Sequence, residues 1–189
     1  MPLASEAPRW SARLVAEFDA ADKRATALTR SLTLQQLNWK PAPGRWSVGQ
    51  CLEHLAVTNE VYGAAITSAM TSAPAGSADE ITPGWFGRYF IREYVAPAEK
   101  PTRHKAPPKI RPVSNVDASI LERFLETNRR SRDLVERARH IDVNRVRFKN
   151  PFVPLIRFTV GTGLEILAKH ELRHLLQAER VRNMPDFPG

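Results

Sequence analysis

Four stretches of the chain place apolar residues at steps of three and four, and this periodicity constrains the fold more than any other sequence feature. The stretches predict amphipathic helices over residues 8–30, 47–71, 115–140 and 159–183. No stretch alternates apolar and polar residues for more than a few positions, and no internal repeat of about 20–50 residues occurs. The sequence therefore predicts an all-α fold, for which four long helices favour a four-helix bundle.

Turn-forming and capping residues divide these helices from one another. Ser47, followed three residues later by Gln50, is typical of a capping box that starts a helix. Five prolines between residues 97 and 112 exclude a regular helix from the connection between the second and third helices. We expect this long connection to be either a packed crossover or a lid, and residues 145–158 to be a loop that docks apolar side chains.

Composition limits the class of protein. A length of 189 residues with 42% hydrophobic residues is typical of one folded domain, here predicted to span residues 1–189. Cys51 is the only cysteine, so this chain alone cannot form an intramolecular disulfide or a multi-cysteine zinc or iron–sulfur site. The N-terminus lacks the features of a signal peptide, and no 18-residue uncharged apolar stretch occurs. We therefore expect a cytoplasmic protein without a membrane partner.

The net charge of +8 comes from a single stretch. Residues 100–150 contain 14 Lys and Arg against 6 Asp and Glu. Such a surface can attract nucleic acid or an acidic small molecule, or it can be a solvated helix face. The aromatics of this stretch are Phe124 and Phe148, too few for the stacking platform of single-strand binders. We expect a solvated face and no specific nucleic-acid partner.

The segment AKHELRHLLQAERV carries His170 and His174 four residues apart. On a helix their side chains lie about 40° apart, a spacing at which two imidazoles can bind one metal ion. Helical geometry places both histidines in the same apolar sector of the helix as Leu167 and Ala178. Arg173 lies across the helix from the centre of this sector. The pair is therefore predicted to face the core, either as metal ligands or as buried neutral histidines.

A third histidine is needed for a metal site of this type. His54 lies at the edge of the apolar stripe of the second helix, from which an adjacent helix can bring it to the same centre. Cys51, one turn earlier, is either a soft metal ligand or a small core residue. His104 in the proline-rich connection and His140 at a basic helix terminus are excluded from the predicted site.

Residues 170–174 also match the H-E-x-x-H pattern of zinc peptidases, in which the glutamate is the general base. The last 15 residues contain no histidine to complete such a site. No strand is predicted that could hold a peptide by edge pairing. We therefore consider a peptidase the weaker interpretation of this pattern.

Two motifs together resemble the DinB/YfiT-like superfamily of metalloenzymes. The first is a Trp-Ser pair followed by His-Leu, here Trp46, Ser47, His54 and Leu55. The second is a C-terminal H-x-x-x-H-x-x-Q pattern, here His170, His174 and Gln177. The resemblance extends from Pro41 to Val181. It implies an up-down-down-up four-helix bundle with a long crossover between helices two and three. It also implies a divalent metal ion, zinc or nickel, bound by His54, His170 and His174.

The resemblance further implies an enzyme whose metal ion activates water or a low-molecular-weight thiol for hydrolysis or transfer of a small-molecule substrate. Glu171 is the predicted catalytic residue, either as a proton acceptor or as a residue that supports a metal ligand, and the alternative is a solvated or salt-bridged helix residue. Glu53 and Gln177 are lesser candidates. The family, together with the apolar Leu172 and Leu176, suggests a homodimer. The alternative is a metal-free helical bundle that binds a ligand or a partner without catalysis.

Overall fold

A computed structural model describes residues 7–97, 105–153 and 155–189, and four long helices account for about half of them. These helices are α1 (Arg9–Thr29), α3 (Val48–Met70), α5 (Ile120–Ala138) and α6 (Val160–Arg182). The shorter elements are α2 (Leu34–Asn38), α4 (Trp85–Phe90), a π-helical turn (Ile91–Val95), a 3₁₀ turn (Pro108–Ile110), β1 (Arg147–Lys149) and β2 (Arg157–Thr159). The predicted four-helix bundle is confirmed, and three of its helices begin and end within one residue of prediction.

Helices α1 and α3 occupy opposite corners of the bundle, because each packs against α5 and α6. The apolar stripes of the four helices meet in two clusters along the bundle axis. The first cluster includes Leu14, Phe18, Tyr62, Ile66, Leu134 and Leu164. The second includes Leu28, Val48, Leu52, Phe124, Leu175 and Ala178. Along the bundle axis, buried polar side chains lie between the first and the second apolar cluster. The candidate site lies on α3 and α6 at about the same height along the axis.

The start of α3 is set by the predicted capping box. The Ser47 hydroxyl accepts a hydrogen bond from the Gln50 backbone N–H at 3.1 Å, and the Gln50 side chain accepts one from the Ser47 N–H at 3.2 Å. Two backbone donors of the first turn are thereby satisfied. This start places His54 about two turns into the helix, on a buried face.

Helix α5 begins five residues later than predicted, and local hydrogen bonds explain the delay. Val116 is buried, and Asn38 holds its backbone by donating to its carbonyl at 2.9 Å and accepting from its N–H at 2.8 Å. The Asp117 carboxylate then accepts from the backbone N–H of Ser119 at 2.8 Å. Side chains that bond to nearby backbone groups in this way compete with helix formation.

The expectation that residues 145–158 form only a loop was wrong, because they contain most of an antiparallel hairpin. Phe148 and Phe158 pair across its two strands, and both are buried. The hairpin packs on α6 at Gly163, where a Cβ atom would lie 2.7 Å from the Phe148 ring. Strands of three residues are too short to display a period of two, which is why the sequence pattern did not reveal them.

The described part of the connection between α3 and α5 is a packed crossover. Its aromatic segment forms α4 and the π-helical turn, whose Ile91 and Val95 are buried, and Ile110 is buried in the 3₁₀ turn. Residues 98–104, including His104, lie outside the described residues. None of the helices in the described part of the chain has both the length and the apolarity needed to cross a membrane.

Candidate metal centre

Helices α3 and α6 bring the three predicted histidines together. One ring nitrogen each from His54, His170 and His174 lies within 4.8 Å of the other two. His54 and His174 are only 3% and 9% exposed, whereas His170 is partly exposed and forms the accessible side of the cluster. Three imidazoles in this arrangement could hold one metal ion and leave a further coordination position for another ligand.

Hydrogen bonds from outside the cluster orient two of the imidazoles. The Nδ1–H group of His54 donates to the backbone carbonyl of Ile110 at 2.6 Å. The Nδ1–H group of His174 donates to the side-chain oxygen of Gln177 at 2.9 Å. Each bond leaves the Nε2 lone pair available on the cluster side of the ring, as is typical of histidines that bind metal.

The distance between two of the ring nitrogens matches a metal coordination sphere. Nε2 of His54 and Nε2 of His170 lie 3.3 Å apart. Two nitrogens bound to one ion at about 2.0–2.1 Å in tetrahedral geometry are separated by nearly this distance. Facing lone pairs repel each other unless a proton or a cation lies between them, and the buried Nδ1 of His170 has no hydrogen-bond partner in the described part of the chain. The three imidazole nitrogens therefore form a set of ligands that fits a divalent ion.

Burial holds all three histidines in their neutral form. It lowers the pKa of His54 to about 4, although the bond to Ile110 acts in the opposite direction. Burial also lowers the pKa of His170 and His174 well below the usual value, and the neighbouring imidazoles contribute to both decreases. A metal ion binds neutral imidazole, so these side chains need not lose a proton at neutral pH.

Trp46 forms one wall of the cluster. Its ring centroid lies 4.7 Å from that of His54 and 5.6 Å from that of His174. Because Trp46 directly precedes the cap residue of α3, the same local structure that starts the helix also places an indole against two of the histidines. The indole covers the apolar faces of both rings and limits the access of water to them.

The sequence match to a family covers this whole arrangement. The model of the DinB superfamily matches residues 17–178, which include the three histidines and Gln177. The chain belongs to the DinB superfamily. No curated protein is significantly similar to it in sequence.

A solved DinB-like structure supports the fold. YfiT from Bacillus subtilis, described as "a probable metal-dependent hydrolase with an unusual four-helix bundle topology", is structurally similar with a TM-score of 0.60. The similarity covers 96% of this chain and 91% of YfiT, at 15% sequence identity. At this identity the likeness shows the fold alone.

Glu171 lies next to His170 in the DinB motif, but its carboxylate is held away from the imidazoles. The side-chain amides of Asn59 and Asn128 donate to its two oxygens at 2.9 and 3.1 Å. Asn128 also donates to Asp22 at 2.8 Å, and we call these four residues the carboxyl network. Burial raises the pKa of Glu171 to about 8. The catalytic role of Glu171 therefore stays a prediction, and its contacts indicate a role in fixing α6.

Two other candidate site residues, Cys51 and Glu53, make their contacts outside the histidine cluster. Cys51 is completely buried in the second apolar cluster, and burial raises the pKa of its thiol to about 12. Of the two predicted alternatives, the structure therefore supports the small core residue. Both carboxylate oxygens of Glu53 accept from Arg123, at 3.0 and 3.1 Å, so this side chain is engaged in an ion pair.

The sequence did not reveal three features of the site and its surroundings. The Ile110 carbonyl that orients His54 belongs to the backbone, and no side-chain pattern reveals such a group. Trp46 was recognised as part of a DinB motif, but its contact with the imidazoles was not predicted. The carboxyl network was also missed, although Asn59 and Asn128 are polar residues at core-facing helix positions and could have signalled it.

Proposed function

We propose that the protein is a metal-dependent enzyme, in which His54, His170 and His174 bind one divalent ion, zinc or nickel. The observation that carries this proposal is the convergence of three neutral imidazoles, two of whose Nε2 atoms lie 3.3 Å apart, and none of whose Nε2 atoms has a partner outside the cluster among the described residues. The DinB family and the description of YfiT as metal-dependent agree with it.

The residues of this chain prepare the site before any substrate arrives. Ile110 and Gln177 fix the tautomers of His54 and His174, so that little reorientation is needed when a ligand binds. Trp46 covers two of the rings, and the partly exposed His170 leaves one side open to a small molecule. When bound, a divalent ion supplies Lewis acidity that lowers the pKa of water or of a thiol.

The reaction we favour is hydrolysis or group transfer on a small-molecule substrate, with water or a low-molecular-weight thiol as the nucleophile. The one cysteine of the chain is unsuited to this role, because it is buried and un-ionised. Glu171 remains the proposed proton acceptor from the sequence. If it has this role, the Glu171→Gln variant should keep its metal and lose turnover.

Location and assembly are further parts of the proposal. A single unpaired cysteine is compatible with the reducing cytoplasm, where we place the protein. We propose a homodimer on the basis of Leu172, which is 40% exposed on α6. Sedimentation that shows only monomer at micromolar concentration would exclude the dimer.

The metal proposal is tested on protein purified without a histidine tag and without chelator. Elemental mass spectrometry should find about one zinc or nickel ion per chain, and an added divalent ion should restore this ratio after dialysis against chelator. Thiol consumption with an electrophile and hydrolysis of simple esters, measured with and without metal, distinguish the two reactions. A parent protein that never binds stoichiometric metal would leave the metal-free ligand-binding bundle as the better interpretation.

A further inference from the structure

A groove of about 840 Å³ lies on the side of α6 that faces away from the histidine cluster. Leu172, one of its lining residues, is about 160° around the helix from both His170 and His174. Because these positions lie on opposite sides of α6, the groove is separate from the candidate metal centre. Its volume is within the range of protein pockets that hold small molecules.

Three parts of the chain form the walls of this groove. Helices α1 and α6, which pack against each other, contribute one face each, and the crossover contributes residues between positions 83 and 97. Short alanine side chains leave space between the two helices. The apolar lining residues are Ala20, Ala21, Ile91, Ala168, Leu172 and Leu175. A ligand in the groove would therefore meet a largely apolar surface between α1 and α6.

The two carboxylates that line the groove are already engaged. Glu17 accepts a hydrogen bond from Arg13 at 2.8 Å, and both oxygens of Glu165 accept from the same guanidinium. The ammonium of Lys169 lies 3.6 Å from one Glu165 oxygen, which is longer than a hydrogen bond. Lys169 therefore shares a carboxylate that Arg13 already binds.

Arg88 is the cation of the groove that lacks an acidic partner in the described part of the chain. Arg24 and Arg92 each pair with a glutamate outside the lining. Arg88 instead donates through Nη1 to the backbone carbonyl of Pro83, which also lines the groove, at 2.7 Å. This bond holds the guanidinium beside the groove. Its Nε and Nη2 groups have no hydrogen-bond partner among the described residues, so they are available to a ligand.

The charges of the groove fit a ligand with a single negative charge. Five cations line it, and four of them contact four glutamates among the described residues, so one positive charge is left without an acidic partner. A phosphate monoester carries about two negative charges, whereas a carboxylate carries one. A planar guanidinium also matches a carboxylate in shape and can donate two parallel hydrogen bonds to it.

We propose that this groove is a second binding site, which takes a small amphipathic carboxylate. Arg88 binds the carboxylate group, and the apolar part of the molecule lies between α1 and α6. The apolar contact supplies the affinity, and the charged contact fixes the orientation of the molecule. The inference is independent of the proposed function, because none of the three histidines lines the groove.

The test compares three probes that separate charge from apolar contact. Octanoate has both, 1-octanol has the chain without the charge, and acetate has the charge without the chain. Each is titrated by calorimetry into the full-length protein after dialysis against chelator, because a carboxylate could also bind a metal ion.

Two pairs of variants locate the binding site. Arg88→Gln removes the proposed partner of the carboxylate, and Arg147→Gln removes an exposed arginine of β1 as a control. Ala20→Glu adds a negative charge to the groove, and Ala12→Glu adds one at an exposed position of the same helix outside the groove.

We expect octanoate to bind about fivefold more tightly than 1-octanol, and acetate to bind more weakly than both. Arg88→Gln and Ala20→Glu should each raise the octanoate Kd about fivefold, while Arg147→Gln and Ala12→Glu leave it unchanged. The Kd for 1-octanol should be the same in the parent and in Arg88→Gln, which shows that the groove is intact in the variant.

Equal octanoate Kd values in Arg88→Gln and Arg147→Gln would overturn the site. Equal affinity of the parent for octanoate and 1-octanol would do the same, as would a parent that binds neither. Sedimentation is run on the same samples, because a homodimer that uses Leu172 would close the groove. A dimer that excludes octanoate would show that a second copy of the chain, and not a small molecule, covers this surface.

Discussion

The interior of the bundle contains two polar clusters one residue apart on α6, and they differ in how their polar atoms are paired. In the carboxyl network, both oxygens of Glu171 have amide donors, and Asn128 links them to Asp22. In the histidine cluster, two Nε2 atoms face each other at 3.3 Å, and the buried Nδ1 of His170 has no hydrogen-bond partner among the described residues. In the carboxyl network the buried Oδ1 of Asn59 is likewise unpaired within the described part of the chain, but the Glu171 carboxyl oxygens have amide donors, whereas the facing ring nitrogens of the histidine cluster could bind a divalent cation.

This difference indicates separate roles for the two clusters. A satisfied polar network between packed helices fixes their register, and removing one member leaves the others buried and unpaired. A cluster of neutral imidazoles whose ring nitrogens face one another is stabilised further when a cation binds between them. We therefore expect changes in the carboxyl network to affect stability, and changes in the histidine cluster to affect metal binding.

The largest expected effect is on metal binding. His174→Ala removes one of the three proposed ligands and one of the two oriented imidazoles, so stoichiometric zinc binding should be lost while the helical circular dichroism spectrum is retained. His140→Ala is the control, because His140 lies outside the cluster. Metal content measured by mass spectrometry after gel filtration checks the prediction. Equal zinc in both variants would show that the three histidines are not the site.

The same comparison can be made through stability. A ligand that binds only the folded state raises its stability by about 2.7 kcal/mol at a concentration of one hundred times its Kd. We expect zinc to raise the melting temperature of the parent and of His140→Ala, and to leave that of His174→Ala unchanged. A rise in all three proteins would place the bound zinc elsewhere on the chain.

The next largest effect concerns the carboxyl network. Asn128→Ala removes the amide that donates to Glu171 and Asp22, so two acceptors lose a partner and a cavity forms beside them. We expect a loss of about 2–3 kcal/mol in the free energy of unfolding, measured with urea, and no change in zinc stoichiometry. Arg130→Ala, an exposed change on the same helix, should cost much less. Loss of zinc from Asn128→Ala would show that the two clusters are not independent.

The sequence predicted the long helices well, because their limits are set by local signals that can be read directly. The Ser47 and Gln50 capping box and the three-four periodicity fixed α3 to within one residue. The hairpin and the late start of α5 depend on contacts such as that between Asn38 and Val116, which are 78 residues apart. Local pattern carries no information about such pairs.

The candidate site was predictable only where side chains themselves carry the chemistry. Helical spacing identified His170 and His174, the position of His54 at the edge of an apolar stripe made it the third candidate, and the family resemblance agreed with all three. The neutral state of these imidazoles comes from burial, and the position of Glu171 in a different network comes from the packing of α3 and α5 on α6. Neighbours in sequence on a helix point about 100° apart, so His170 and its neighbour Glu171 face different surroundings.

A smaller effect is expected when the histidines remain and their support is removed. Gln177→Leu deletes the acceptor that orients the His174 ring, so zinc affinity should fall about tenfold, measured by competition with a chromogenic chelator. Gln35→Leu, a change at an exposed glutamine of α2, is the matched control. An unchanged affinity for Gln177→Leu would show that Trp46 and the helix alone hold the ring.

The smallest effect is on the pH dependence of folding stability, which has opposite signs for the two clusters. It is measured on protein kept free of metal. Burial raises the pKa of Glu171 from 4.5 to about 8, so the folded state holds a proton that the unfolded state has lost. The contribution of Glu171 to the free energy of unfolding is therefore fully present below pH 4.5 and is lost as the pH rises to about 8. For His54 the folded pKa is lowered from 6.5 to about 4, so stability is lost as the pH falls through that window.

Between pH 4.5 and 6.5, Glu171 and His54 therefore change the folding stability in opposite directions as the pH rises. Between about pH 6.5 and 8, of these two groups only Glu171 changes it. One group contributes at most about 1.4 kcal/mol per pH unit, and we expect a smaller decline across the upper window. Glu171→Gln, which resembles the protonated carboxyl, should abolish that decline, whereas Glu122→Gln on the exposed face of α5 should not. Urea unfolding at several pH values checks this. A decline that persists in Glu171→Gln would assign the titration to another group.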